Sequence, residues 1–334
     1  MSRKQLKQDF LEKSGWSDAA ITPMGSDASK RSYDRLERGK ARAVLMNAPY
    51  EAGEDVRSFL NVTTLLRSAG HSAPEILARD EKNGFILLED LGDGLYADHI
   101  NAKPESETEL YGNAIDLLAG IDTISVAGLK PYDETAYMRE AMLFLDWYMP
   151  IATGEPLRRD KRAMFNEALA VALRSIPEDD AVITLRDFHA ENLIWLPERI
   201  GTQRVGLLDY QDALCGHPAY DLVSFLEDAR RDTSTTLQKQ MYQRYLEKSG
   251  KQDAEFRQAY DVLGAQRNLK IVGIFTRLCC RDNKKTYPDL IPRVWGHLIR
   301  DLTHPCLSDL ANWIAEYAPE PTPKIIERIK DHDA

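Results

Sequence analysis

The sequence predicts a two-lobed α+β fold, in which a small antiparallel sheet carrying one helix precedes a mainly helical lobe. Three observations predict it. The 334 residues amount to roughly two domains at about 150 residues each. Between about residues 20 and 90, short apolar runs alternate with turn residues, the pattern of strands. Beyond the run LLEDLGDG, apolar residues recur three and four apart, the spacing of helices. The division falls just after Leu91, giving segments 1–91 and 92–334.

Taken in order, the opening MSRKQLKQDFLEKSGWSD has basic residues with no apolar stretch behind them, so it reads as a short amphipathic helix and not a signal peptide. ITPMG, SYDRLER, ARAVLMN and GFILLED read as strands. Between the last two lies GEDVRSFLNVTTLLRSAG, where Val56, Phe59, Leu60, Leu65 and Leu66 recur at helical spacing between acidic residues and Gly70. Further helices are expected near 106–122, 135–149 and 159–175, with breaks at Pro131, Pro150 and Gly154. The runs AVITL, LIWL and VGLL are too brief for helices and read as short strands presenting loops. From AYDLVSFLEDARRD onward helices resume.

Composition narrows the function. Lys and Arg total 43 against 53 Asp and Glu, a formal net charge of −10, which argues against a phosphate backbone as partner. No apolar run approaches the roughly 20 residues of a membrane-spanning helix, so a cytoplasmic protein is expected. Cys215, Cys279, Cys280 and Cys306 show no CxxC and no metal-ligand spacing.

The chemistry is concentrated in LRDFHAENLIW and VGLLDYQD. Asp187 precedes Asn192 by five residues, and Asp209 follows Asn192 by 17 at the end of a strand-like run. Magnesium wants hard oxygen ligands, few protein groups and phosphate oxygens to complete its shell. Asn192 and Asp209 supply two such donors, leaving Asp187 to accept a proton from a hydroxyl nucleophile. His189 between them is read as a packing or hydrogen-bonding residue, because Asp187 already fills the position of the base.

These ordered elements resemble the aminoglycoside phosphotransferase and choline kinase group, which shares the bilobal protein-kinase-like fold. LRDFHAEN stands where that group has a catalytic Asp followed by a metal-binding Asn, and LLDYQD where it has the metal-binding Asp. GHPAYDL resembles the segment whose last Asp braces the catalytic loop, a role that would fall to Asp221, although an acidic residue in the first turn of a helix also suits the helix dipole. GFILLEDLGD resembles the hinge strand that receives adenine on its backbone, at Glu89, Asp90 and Leu91. Within the group, SDASKRSYDRLE, AVLMNAPYEAGEDVRSFL and LKIVGIFTRLCCRDNKKTYPDLIPRVW resemble the bacterial anomeric sugar kinases of cell-wall recycling, which act on N-acetylmuramate and N-acetylglucosamine. The resemblance implies phosphoryl transfer from ATP with Mg2+ to a small-molecule hydroxyl, on an amino sugar; with the charge and hydropathy above, no nucleic acid, membrane or obligate protein partner is expected.

The chain also departs from the group's pattern. Leu185 stands where the group has a His, so apolar packing is expected to hold the catalytic loop. Met46 stands where a phosphate-gripping Lys is usual; Lys30, Arg31 and Arg42 are the alternatives. The loop MGSDASKRSY has one glycine, Gly25, but can offer backbone N–H groups and the hydroxyls of Ser26 and Ser29. Independently of any resemblance, a helix at 100° per residue places Arg267, Lys270, Arg277 and Arg281 within an arc of about 80°. That stripe reads either as a solvated face or as a substrate-binding surface for an anionic sugar, formed by Arg267, Lys270 and Arg277. Rival readings are an aminoglycoside, choline-like or other alcohol kinase, in which acidic residues would serve the acceptor, and a nucleotide-binding pseudokinase with a regulatory role.

Overall fold

Strand-forming runs separated by turns build the first sheet. The computed structural model describes residues 1–25 and 31–332. In it, β1 (Ala20–Met24), β2 (Ser32–Arg38), β3 (Ala41–Asn47), β4 (Ile76–Asp80) and β5 (Phe85–Glu89) pair antiparallel in the order β1-β2-β3-β5-β4. The pleat puts Leu36, Ala43, Leu45, Phe85 and Leu87 on one face, buried with Phe10, Leu11 and Trp16 from α1 (Arg3–Lys13) and the turn after it. Met46, Ile86 and Leu88 are buried on the other face. With both faces covered, β5 reads as an unbroken apolar run. The expected antiparallel sheet is present, with two differences. Strand β4 was not legible, because its ILARD alternates half-buried and exposed residues at the sheet edge. The amphipathic α1 also packs on the sheet. The expected helix α2 (Val56–Ser68) is capped by Asp55 through the amide of Arg57.

The chain divides into two units, one of residues 1–114 with 191–213 and one of 115–190 with 214–334. The first also holds α3 (Tyr96–Ala102) and most of α4 (Glu107–Ala119). It includes β7 (Leu193–Trp195) and β8 (Val205–Leu207) as well, which follow β6 (Val182–Thr184) in the chain and form an antiparallel hairpin.

In the second unit β6 pairs with β9 (Leu214–Gly216), and the unit also holds helices α5 (Glu134–Leu143), α6 (Met149–Thr153), α7 (Arg159–Arg174), α8 (Ala219–Leu226) and α9 (Thr235–Ser249). Helices α10 (Asp253–Asp282), α11 (Ile291–Asp301), α12 (Ser308–Tyr317) and α13 (Pro323–Asp331) complete it. Pro150 does not break the chain as expected: a widened turn at Phe144–Tyr148 joins α5 to α6. Pro150 then falls in the first turn of α6, where its missing N–H is tolerated. Helix α10, 30 residues long, is the spine of the unit. It passes α5 closely at Gly273, where a Cβ would stand 2.3 Å from the carbonyl carbon of Leu143. Among the described residues no helix is long and apolar enough to cross a membrane.

Candidate active site

In the second unit, the segment after β6 alternates buried and half-exposed side chains. Leu185 and Phe188 are buried, and Phe188 meets Phe225 of α8 edge-on at 5.3 Å. Between them Arg186 and Asp187 remain half-exposed. Arg186 takes φ 72°, a left-handed conformation that non-glycine residues adopt at a cost. The carboxylate of Asp221 matches that conformation: the amides of Leu185 and Arg186 donate to its two oxygens at 2.6 and 2.8 Å. The loop is therefore held by polar bracing as well as by the apolar packing that Leu185 predicts. Burial pushes the Asp221 carboxyl up to about 7, against the pull of those amides and of Arg267. His189 is buried, with its Nε2 3.3 Å from Arg230, and the amide of Ala190 donates to Asp228 at 3.3 Å.

In the first unit, the β7–β8 hairpin brings Asn192 and Asp209 to one end. Leu193 pairs with Leu207, and the amide of Leu208 donates to the carbonyl of Asn192 at 3.0 Å, so the residues flanking the two strands are held side by side. Asp209 has φ 54°. Its neighbour Tyr210 stacks on Phe59 of α2 at 5.2 Å and shares a 2.8 Å hydrogen bond with Thr63. Gln211 Nε2 donates to Asp209 Oδ1 at 2.9 Å. Asn192, half-buried, and Asp209, exposed, carry hard oxygens of the type Mg2+ takes together with waters and phosphate oxygens.

Arg31, directly before β2, pairs with Glu54 at 3.3 Å and lies 3.9 Å from Asp209 Oδ1. Burial pushes the neighbouring Tyr33 hydroxyl up to about 12, so that group stays protonated. Glu54 carried no sequence signal beyond its place just before α2. Met46 is 1% exposed in the sheet core. Arg42 is turned to Glu37 at 3.0 Å, on an exposed stretch of β3. Ser26, Ser29 and Lys30 lie outside the described residues.

At the end of β5, the Glu89 side chain receives Arg199 and the amide of Glu75. Asp90 is gripped by Arg35 at 2.8 Å and by the amide of Gly92 at 2.9 Å. Both carboxylates shape the turn, and Leu91 follows half-buried.

The basic stripe of α10 is largely engaged within its own unit. Arg267 is 5% exposed and donates to Ser224 Oγ at 2.9 Å. Lys270 pairs with Glu140 of α5 at 3.0 Å. Arg277 is half-buried, and burial, with Arg281 nearby, pulls its guanidinium below the ordinary value. Periodicity located the stripe but not its partners, because Glu140 and Ser224 look like ordinary helix residues in sequence.

The family model described as "Phosphotransferase enzyme family" matches residues 20–260. An N-acetylmuramate/N-acetylglucosamine kinase from Caulobacter vibrioides is 36% identical over 96% of this chain and 98% of its own length. A protein of the same name from Pseudomonas aeruginosa is 36% identical over 85% of both. Among solved structures, a choline/ethanolamine kinase family protein from Mesorhizobium loti superposes with a TM-score of 0.60 at 13% identity, covering 98% of this chain and 99% of that one. Aminoglycoside 2'-phosphotransferase-IIIa, solved with GDP, gives 0.63 at 12%, covering 91% and 99%. The two superpositions support the bilobal α+β fold, and the matched family and relatives identify the chain as a kinase belonging to the phosphotransferase enzyme family.

Proposed function

We propose that the protein transfers the γ-phosphoryl group of ATP to the anomeric hydroxyl of N-acetylmuramate or N-acetylglucosamine, with nucleotide recognition by segment 1–91 and chemistry by segment 92–334. The observation that carries the reading is the pair of braced elements: the Asp187 loop held by Asp221, and the hairpin end presenting Asn192 and Asp209. The names of relatives matched across nearly the whole chain support the acceptor.

Asp187 orients the acceptor hydroxyl and takes its proton as the oxygen bonds to the γ-phosphorus. The bond from that phosphorus to the bridging oxygen breaks, and ADP leaves. Asn192 and Asp209 hold Mg2+, which when bound neutralises phosphate charge. Arg31, held by Glu54, supplies the cation that the strand position of Met46 lacks. Ser26, Ser29 and Lys30 are assigned to the nucleotide on the sequence resemblance alone, and the backbone at Glu89, Asp90 and Leu91 to the base. Of the α10 stripe, Arg277 is assigned to the acceptor.

The test is ATP consumption by purified protein against amino sugars, aminoglycosides and choline-like alcohols, with the phosphorylated position determined. Turnover is expected with the two N-acetylated sugars, at the anomeric oxygen, and lost in Asp187→Asn with nucleotide binding retained. Turnover only with amines or alcohols refutes the acceptor, and an active Asp187→Asn refutes the role of the base.

A further inference from the structure

Two cations of α10, Arg267 and Lys270, sit one helical turn apart on the same side of the helix. Each reaches Arg186 through one intermediary. Arg267 Nη2 donates to Ser224 Oγ at 2.9 Å, and that hydroxyl donates to the carbonyl of Arg186 at 3.3 Å. Lys270 Nζ pairs with Glu140 at 3.0 Å, and the same carboxylate pairs with the Arg186 guanidinium. Tyr132 closes this second arm, its hydroxyl donating to Glu140 and its ring lying 5.2 Å from the Arg186 guanidinium. Burial opposes ionisation of Glu140, yet Lys270 and Arg186 together hold its carboxyl below the ordinary value. Arg186 is thus held at its carbonyl and at its side chain. It is also the left-handed residue directly before Asp187, and strained backbone persists only where the surroundings over-determine it.

We propose that Arg267 and Lys270 are positioning residues for phosphoryl transfer: through Ser224 and Glu140 they lock Arg186 in its left-handed conformation and so aim the carboxylate of Asp187. The inference rests on the reading of Asp187 as the base. It gives the α10 stripe a task different from substrate binding, and the two tasks separate kinetically. A positioning residue changes kcat, because misaligned groups lose near-attack geometry, whereas a residue that binds the acceptor equally in ground and transition states changes KM.

Steady-state kinetics with ATP and N-acetylglucosamine, or whichever acceptor turns over, supply the test. Ser224→Ala and Lys270→Met are each expected to lower kcat at least tenfold, with both KM values within twofold. Lys270→Arg is expected to restore kcat to within threefold of the unaltered protein. In a Glu140→Gln background, Lys270→Met is expected to add less than a twofold further loss, since the arm is already cut. Ser224→Ala removes one oxygen and keeps the packing, so it reports on the relay even if a charge-removing variant fails to fold. A raised acceptor KM with kcat intact in Lys270→Met, or unchanged kcat in both single variants, overturns the proposal. If Asp187→Asn retains turnover, the reading of the base has failed; if Asp187→Asn is inactive and the α10 variants are normal, the positioning proposal alone has failed.

Discussion

Asp221 couples burial to chemistry in a single side chain. Its folded value of about 7 lies above the ordinary 3.8, so the protonated form favours the fold. That contribution is fully present below about pH 4 and is lost as pH rises through about 7. Bracing runs the other way, because the ionised carboxylate is the better acceptor for the amides of Leu185 and Arg186. Turnover is expected to fall as pH drops below about 7 while stability against urea rises, a divergence read from kcat and unfolding curves at matched pH. Asp221→Asn is expected to flatten that stability slope and to lower kcat by about 10–100-fold, the scale of losing one charge-assisted hydrogen bond. Arg31 poses the matching question for the nucleotide. Arg31→Met is expected to weaken ATP binding by about tenfold or more, measured by calorimetry. Met46→Lys is not expected to compensate, since it places an ammonium on the buried face shared with Ile86 and Leu88 and should destabilise the sheet by roughly several kcal/mol.

At the scale of elements, one residue in each of two contacts matters most. The loop after β8 is anchored by Tyr210, which stacks on Phe59 and bonds Thr63. Tyr210→Phe keeps the ring and should cost about 1 kcal/mol; Tyr210→Ala should cost about 3–5 kcal/mol and also weaken magnesium-dependent turnover by loosening Asp209. Helix α10 reaches α5 only because Gly273 has no side chain. Gly273→Ala must move one helix against the other, and a loss of about 1–3 kcal/mol in urea unfolding is expected for such overpacking. Because α5 carries Glu140 and α10 carries Lys270, the same variant should also lower kcat. Unaltered stability and turnover in Gly273→Ala would contradict this account of the helix contact.

For the molecule as a whole, the proposed chemistry predicts that nucleotide and magnesium act together. Asn192 and Asp209 are two donors, too few to hold Mg2+ tightly without phosphate oxygens. ATP with Mg2+ at about 100 times its Kd should stabilise the protein by about 2.7 kcal/mol, a shift of several degrees in thermal unfolding that EDTA should abolish together with turnover. Much of this molecule was legible in its sequence. The antiparallel sheet, α2 and the helical second half follow from apolar period, which depends only on local geometry. The oxygen donors of the candidate site stood out because they cluster at loop positions beside short strands. Strand β4 was missed because an edge strand needs no apolar run. The passage of helix through Pro150 was missed because a widened turn leaves no mark in composition. The sequence by itself determined which residue types are available: Asp187, Asn192, Asp209 and Asp221 in order, and a cationic stripe on α10. Only the tertiary structure decided what those charges face. Ser224, 43 positions before Arg267 in the chain, and Glu140, 130 positions before Lys270, are brought against those two cations by the fold. Periodicity orients a side chain on its own helix, whereas its partner is set by packing between segments remote in sequence.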